Sequence, residues 1–171
     1  MNYRPLLLSV ATGVLAWLAW PDSSYTFLIF FAWIPLLYLA EEIKSAKQFF
    51  FFCYLSLFIW NIGTTWWIWN ATAPGAVAAW LANSLLMCIP WLGFHRLQQK
   101  KINWFSGLSL IAFWLCFEYI HLQDWGLSWP WLTLGNVFAK QIGLINYFTR
   151  GLFIRIKKKF FSQDIYKFKT I

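Results

Sequence analysis

The apolar residues of this chain come in long uncharged blocks separated by short polar ones. Residues 5–21 and 23–40 each lack a charged side chain, and residues 49–94 run for 46 positions without a Lys, Arg, Asp or Glu. A membrane-crossing helix takes about 20 residues. The long block therefore holds two, with Asn70-Ala-Thr-Ala-Pro-Gly75 as the turn between them. Residues 102–117 make a fifth candidate. Residues 132–149 make a weak sixth, interrupted by Lys140, Gln141 and Asn146. The pattern predicts an all-α fold: a multi-pass transmembrane helical bundle over residues 1–149, with five firm spans and a weak sixth. Helix ends are expected near Trp20, Ala40, Trp69, Leu97 and Ile120.

Local signals refine these blocks. Pro21-Asp-Ser-Ser24 closes the first hairpin, and Asp22 or Ser23 is placed to cap the second helix. Pro35 and Pro90 fall inside the second and fourth spans, where a missing N–H bends a helix. Gly63, Thr64 and Thr65 are small residues suited to close helix contact, and Asn61 is a buried amide in need of a partner. Arg4 followed by a Leu-rich stretch has the look of a signal peptide. The next block begins within a few residues, however, and Trp17-Leu-Ala-Trp-Pro21 is a poor cleavage site, so the first block reads as an uncleaved span.

Composition agrees. The chain has 171 residues, 60% hydrophobic and 12% charged, where soluble domains carry about 25% charged residues. The net charge of +8 is not spread at random. Arg4, Lys44, Lys47, Arg96, Lys100 and Lys101 flank alternate span ends, while the turns at residues 21–24 and 70–75 carry no base. The positive-inside rule then puts the N-terminus in the cytoplasm and residues 118–136 outside. Basic residues at such ends face anionic headgroups, which excludes nucleic acid as the partner. Cys53, Cys88 and Cys116 fall in apolar blocks without CxxC spacing and read as packing residues.

Candidate chemistry gathers in residues 118–136, which hold two acids, a His, three Trp, a Pro and two Gly. Glu118 near a membrane interface has to be paired, solvated or used. It either binds a headgroup or ammonium, hydrogen-bonds the following loop, or simply caps the span. His121 and Asp124 have metal-pair spacing, but a site needs a further strong ligand, so no metal is assigned. Ser128 is not in a nucleophile elbow, because Pro130 stands where a Gly is required. Pro130 biases Trp129 to extended geometry, Trp129 and Trp131 offer amphipathic faces, and Gly135 suits a tight turn. Eight Trp (20, 66, 67, 69, 80, 125, 129 and 131) fall at the outer face on this topology, more than an interfacial belt requires.

Phe113-Trp-Leu-Cys-Phe-Glu118, followed by Leu127-Ser-Trp-Pro-Trp-Leu-Thr-Leu-Gly-Asn136, resembles the apolipoprotein N-acyltransferases. The opening hairpin and the Trp-rich stretch 61–70 add to the likeness, which runs from about Pro5 to about Phe148. The resemblance implies a multi-pass protein of the bacterial inner (cytoplasmic) membrane, with no cofactor. Its partners would be a phospholipid donor and a lipoprotein with a diacylglyceryl-cysteine N-terminus. Glu118, Trp129, Pro130, Trp131 and Gly135 would serve the lipid or headgroup site. In that family a Cys takes the acyl chain as a thioester, with a Glu base and a Lys at the oxyanion. All three lie in a nitrilase-like domain that does not appear in this sequence. No catalytic residue is therefore assigned, and the chain is expected to be an inactive membrane fragment or to work with a separately encoded nitrilase-like domain. Residues 150–171 interleave bases and aromatics, as a cytoplasmic interfacial helix or an aberrant truncated end would. The alternative reading is a small multi-pass transporter subunit or interaction protein, which the scarcity of mid-span charge disfavours.

Overall fold

The computed structural model describes residues 3–23, 25–100, 105–123, 132–141 and 143. Helix α1 spans Arg4–Leu18. A 3-10 turn, Thr26–Leu28, leads into α2 (Ile29–Ala32) and α3 (Ile34–Glu42). Helix α4 (Ala46–Thr65) runs on as a 3-10 turn, Trp66–Asn70, before α5 (Ala73–Gln99), α6 (Phe105–His121) and a 3-10 helix, Leu134–Phe138. The described residues are all-helical, with no strand among them. The chain divides into two units, Met1–Val137 and Phe138–Ile171. In the second, the Gln141 N–H donates to the Phe138 carbonyl at 2.8 Å.

Two helices are long and apolar enough to cross a membrane, Ala46–Asn70 and Ala73–Gln99. The apolar helices Arg4–Leu18 and Gly107–His121 are shorter. The expected second span is broken. Pro35 sits in the first turn of α3 and has no N–H to offer the preceding turn, so the helix stops at Trp33 and restarts. Nor does Leu132 open a sixth span, since a 3-10 helix follows it. Residues 144–149 lie outside the described residues.

Two turns differ from expectation. Ser23 does not cap the second helix, whose start has no side-chain cap. Its hydroxyl donates back to the Leu18 and Trp20 carbonyls and so closes the end of α1. Ala73, Pro74 and Gly75 belong to α5 instead of the turn. Thr72 supplies the N-cap, accepting from Gly75 N at 3.4 Å, and Pro suits the first turn of a helix, where its missing N–H costs nothing.

Packing is organised on α4. Helix α1 lies alongside it with the same direction, because Gly13 meets Ser56 and Ile59 while Trp17 meets Gly63. Helix α5 returns antiparallel against α4, and α6 packs on α5. At the end near Arg4, the last carbonyls of α3 are closed by α5: His95 Nε2 donates to Ile43 O at 2.7 Å and Gln99 Nε2 to Ala40 O at 3.0 Å. His95 is stacked on Phe49 with ring centres 4.5 Å apart. Arg4 reaches Tyr38 and Glu42 at the same end.

The centre holds a ladder of indoles. Trp20 meets Trp60 edge-on at 5.7 Å, Trp60 stacks on Trp114 at 6.3 Å, and Trp33 lies 4.5 Å from Trp114 and 5.2 Å from Trp91. Trp20, expected at an outer interface, is therefore buried. Trp66, Trp67 and Trp69 are exposed as expected.

The glycines of the α1–α4 contact carry a prediction. A Cβ on Gly13 would meet the Ser56 carbonyl oxygen at 2.6 Å, a backbone atom that cannot step aside. A Cβ on Gly63 would meet the root of the Trp17 ring, Cγ and its two neighbours, which cannot swing away as the far end of a side chain could. Gly13→Ala and Gly63→Ala should each lower stability by about 1–3 kcal/mol through overpacking. Thermal unfolding in detergent reads both; equal melting temperatures for the two variants and the parent chain would refute the packing.

Candidate functional site

The site begins with three polar side chains placed one on each of α4, α5 and α6. Asn61, Asn83 and His121 are all buried. An amide oxygen can only accept, so His121 Nε2 donates to Asn83 Oδ1 at 3.0 Å. Asn83 Nδ2 donates to Asn61 Oδ1 at 2.6 Å, and Asn61 Nδ2 to the Leu57 carbonyl at 2.8 Å. Both amides also reach Met87 Sδ at 3.4 Å. The chain has one direction, and each amide oxygen along it has its donor. Beside it, Thr65 Oγ1 donates to Asn61 O at 2.7 Å and accepts from Trp80 Nε1 at 3.0 Å. The rings of Trp80 and Trp69 lie parallel, 6.2 Å apart.

These bonds fix how far α6 reaches. His121, its last residue, is tied to Asn83, ten residues beyond the first residue of α5. At 1.5 Å per residue, α6 stops about 15 Å short of the start of α5.

Glu118 sits one turn back, half-buried. Its Oε1 accepts from Trp114 Nε1 at 2.9 Å and from the Leu134 backbone N–H at 2.7 Å. The second bond ties the segment after residue 131 to α6. Of the readings open to Glu118 in the sequence, a hydrogen bond to the following loop is thus present. Trp114 joins this carboxylate to the indole ladder. A narrow cleft between Asn83, Met87, Phe117, Glu118, His121, Leu132 and Thr133 adjoins both networks.

Gly135 follows Leu134 inside the 3-10 helix. Its backbone is not left-handed and no described atom lies within 4 Å of a Cβ built there, so it is not the tight turn expected. Trp129, Pro130 and Trp131 lie outside the described residues, as do Asp124, Trp125 and Ser128. Glu118 and the start of the Leu134–Phe138 helix are brought together. Sequence reasoning missed Asn83 altogether and singled out His121 for its spacing from Asp124. The available signal was one buried amide or imidazole in each of three apolar helices.

Cys53 and Cys88 are buried and Cys116 is exposed on α6. Among the described residues no three His, Cys, Asp or Glu side chains group as metal ligands.

An apolar helical bundle whose buried hydrogen-bond network supports a carboxylate at the end of a short helix defines the class. The chain belongs to the apolipoprotein N-acyltransferase N-terminal domain family, whose model matches residues 12–151. It is 27% identical over 148 residues to the apolipoprotein N-acyltransferase of Chlorobaculum tepidum, covering 84% of this chain and 27% of that protein. The chain therefore spans about a quarter of that relative's length. No solved structure matches it.

The two bonds to Glu118 separate charge from acceptance. Glu118→Gln keeps an oxygen acceptor for Trp114 and Leu134, whereas Glu118→Ala leaves both donors unmet, at about 1–3 kcal/mol. Thermal unfolding should show the alanine variant clearly destabilised and the glutamine variant near the parent. In the inner network, a double-mutant cycle between Asn61→Ala and Asn83→Ala should give a coupling of about 0.5–2 kcal/mol; additive effects would deny the bond.

Proposed function

We propose that this chain is the membrane part of an apolipoprotein N-acyltransferase. It crosses the bacterial inner membrane five times with its N-terminus in the cytoplasm, and holds phospholipid and lipoprotein substrate near Glu118. The observation that carries this reading is the Glu118 carboxylate. It is anchored by Trp114 and by the Leu134 N–H, in a chain of this family.

Three features support the membrane topology. With α2 and α3 taken as one broken passage, successive helices alternate in direction, α1 and α4 running the same way and α5 and α6 each reversing. Arg4, Lys44, Lys47, Arg96 and Lys100 attach to the end where Arg4, Glu42, His95 and Gln99 meet. Trp66, Trp67 and Trp69 stand exposed at the other end, where indoles suit headgroup depth. A short α6 is consistent with Glu118 lying below the level of the start of α5.

The acyl transfer itself is assigned to the nitrilase-like domain of longer relatives. Here Cys53 and Cys88 are buried and Cys116 faces an apolar groove. Burial in apolar surroundings makes a thiol a poor acyl-accepting nucleophile.

Two experiments test the proposal. In a background without native cysteines, cysteine at Ser23 or Ala71 should react with an impermeant thiol reagent from outside, and cysteine at Ser45 or Gln99 should not; the reverse pattern would overturn the topology. For function, residues 12–151 should replace the matching domain of the Chlorobaculum tepidum enzyme. The chimera should acylate a diacylglyceryl peptide, and Trp131→Ala within it should impair acylation while membrane insertion persists. The 171-residue chain by itself should form no thioester with labelled phospholipid. An acyl-enzyme on the isolated chain would overturn the assignment.

A further inference from the structure

On the side of the bundle away from α1, the contact between α5 and α6 leaves an apolar groove of about 610 Å³. Such a volume lies within the roughly 300–1,000 Å³ of small-molecule sites. Ile89, Pro90 and Gly93 form one wall and Phe113, Cys116 and Ile120 the other. Gly93 lets Phe113 lie close, since a Cβ there would meet the ring at 3.2 Å. The groove begins at Leu86 and ends at Arg96. Those ten residues of helix rise about 15 Å, half the roughly 30 Å hydrocarbon thickness of a bilayer. The groove is thus one leaflet long. Its cationic chemistry is at one end: Arg96 lines it, and Lys100, one turn on from Arg96, follows the end of α5; at the other end the lining includes His121, whose Nε2 is engaged with Asn83. Arg96 and Lys100 are exposed, and neither has an ion-pair partner among the described residues.

We propose that this groove holds an acyl chain of an anionic phospholipid of the cytoplasmic leaflet, with the lipid phosphate against Arg96 and Lys100. The cationic end lies away from Glu118, while the far end of the groove, at Phe117 and His121, adjoins the cleft beside Glu118; the proposal rests on the membrane topology proposed above. Apolar contact alone cannot select this ligand, because a neighbouring lipid tail is as apolar as the groove wall. Selection comes from the two cations. A basic residue near an anionic surface contributes about 1 kcal/mol, so one cation corresponds to about a fivefold preference over a zwitterionic lipid. The groove shape adds a fixed place for the chain, and the bound lipid would brace α6 against α5 beneath the network that positions Glu118.

The test is photolabelling in vesicles, using the full chain. Phosphatidylglycerol and phosphatidylcholine, each with a diazirine in its acyl chain, are compared at equal content, and labelled peptides are mapped. The proposal expects phosphatidylglycerol to label Ile89, Phe113 and Ile120 at least about fivefold more than phosphatidylcholine. Arg96→Gln should cut that ratio about fivefold while leaving the melting temperature unchanged, since Arg96 is exposed and unpaired. Cys116→Phe, at an exposed position, should fill the groove and suppress its labelling by both lipids. Equal labelling by the two lipids, or a ratio indifferent to Arg96→Gln, would overturn the proposal. An unlabelled groove beside labelled outward positions such as Leu7 and Phe51 would also overturn it, showing the groove covered by protein while the topology stands. If no face of the chain took label from either lipid, the membrane topology itself would fail and this proposal with it.

Discussion

A polar side chain inside an apolar bundle must find its partner within the protein, and the chain His121–Asn83–Asn61 is where this structure meets that demand. Three helices each contribute one link. Sliding any of them by a turn would strand an amide, at about 1–3 kcal/mol for each unmet group. The apolar contacts around the network impose no such register, because one aliphatic surface packs against another almost as well after a shift. The indole ladder adds shape to this register. Trp20, Trp60, Trp114, Trp33 and Trp91 link the end of α1, α4, α6, the α2–α3 break and α5.

Register has a consequence for chemistry. By holding the end of α6 to the tenth residue past the start of α5, the network sets Glu118 inward from the end of the bundle where α5 begins. Trp114 belongs both to the ladder and to the carboxylate, so the packing of the core and the orientation of Glu118 are one arrangement. The Leu134 N–H completes it from the far side of the motif. The opposite end of the bundle is built differently: His95 and Gln99 close the last carbonyls of α3, and Arg96 and Lys100 stand exposed there. The two ends therefore offer distinct chemistry, carboxylate and indole at one and cations at the other.

Much of this was legible in the sequence. Uncharged blocks located α1, α4, α5 and α6, with helix ends within a few residues of those expected, because charge marks where an apolar helix must stop. The inner face of each helix was harder. Helices apolar on all sides give no stripe to read, so Trp20 looked like a belt residue when it is core. Pro35 was seen as a kink, but it opens a new helix after Trp33, whose ring lies between Trp91 and Trp114. Asn83 and His121 lie 38 positions apart, and nothing local couples them. Thr72 as a cap was overlooked because Pro74 and Gly75 read as turn residues, although Pro belongs equally to a first helical turn.

The short reach of α6 is the central claim, and its depth in the bilayer can be measured directly. Nitroxide labels at Leu122, just past α6, and at Ala71, just before α5, can be compared for collisions with oxygen, which concentrates in hydrocarbon, and with a polar nickel chelate, which stays in water. The account predicts that Leu122 lies deeper than Ala71 by about 15 Å, in line with the helical rise between Asn83 and the start of α5. The same nickel accessibility at both positions would mean that α6 reaches the surface, and that the hydrogen bond from His121 to Asn83 does not set the site.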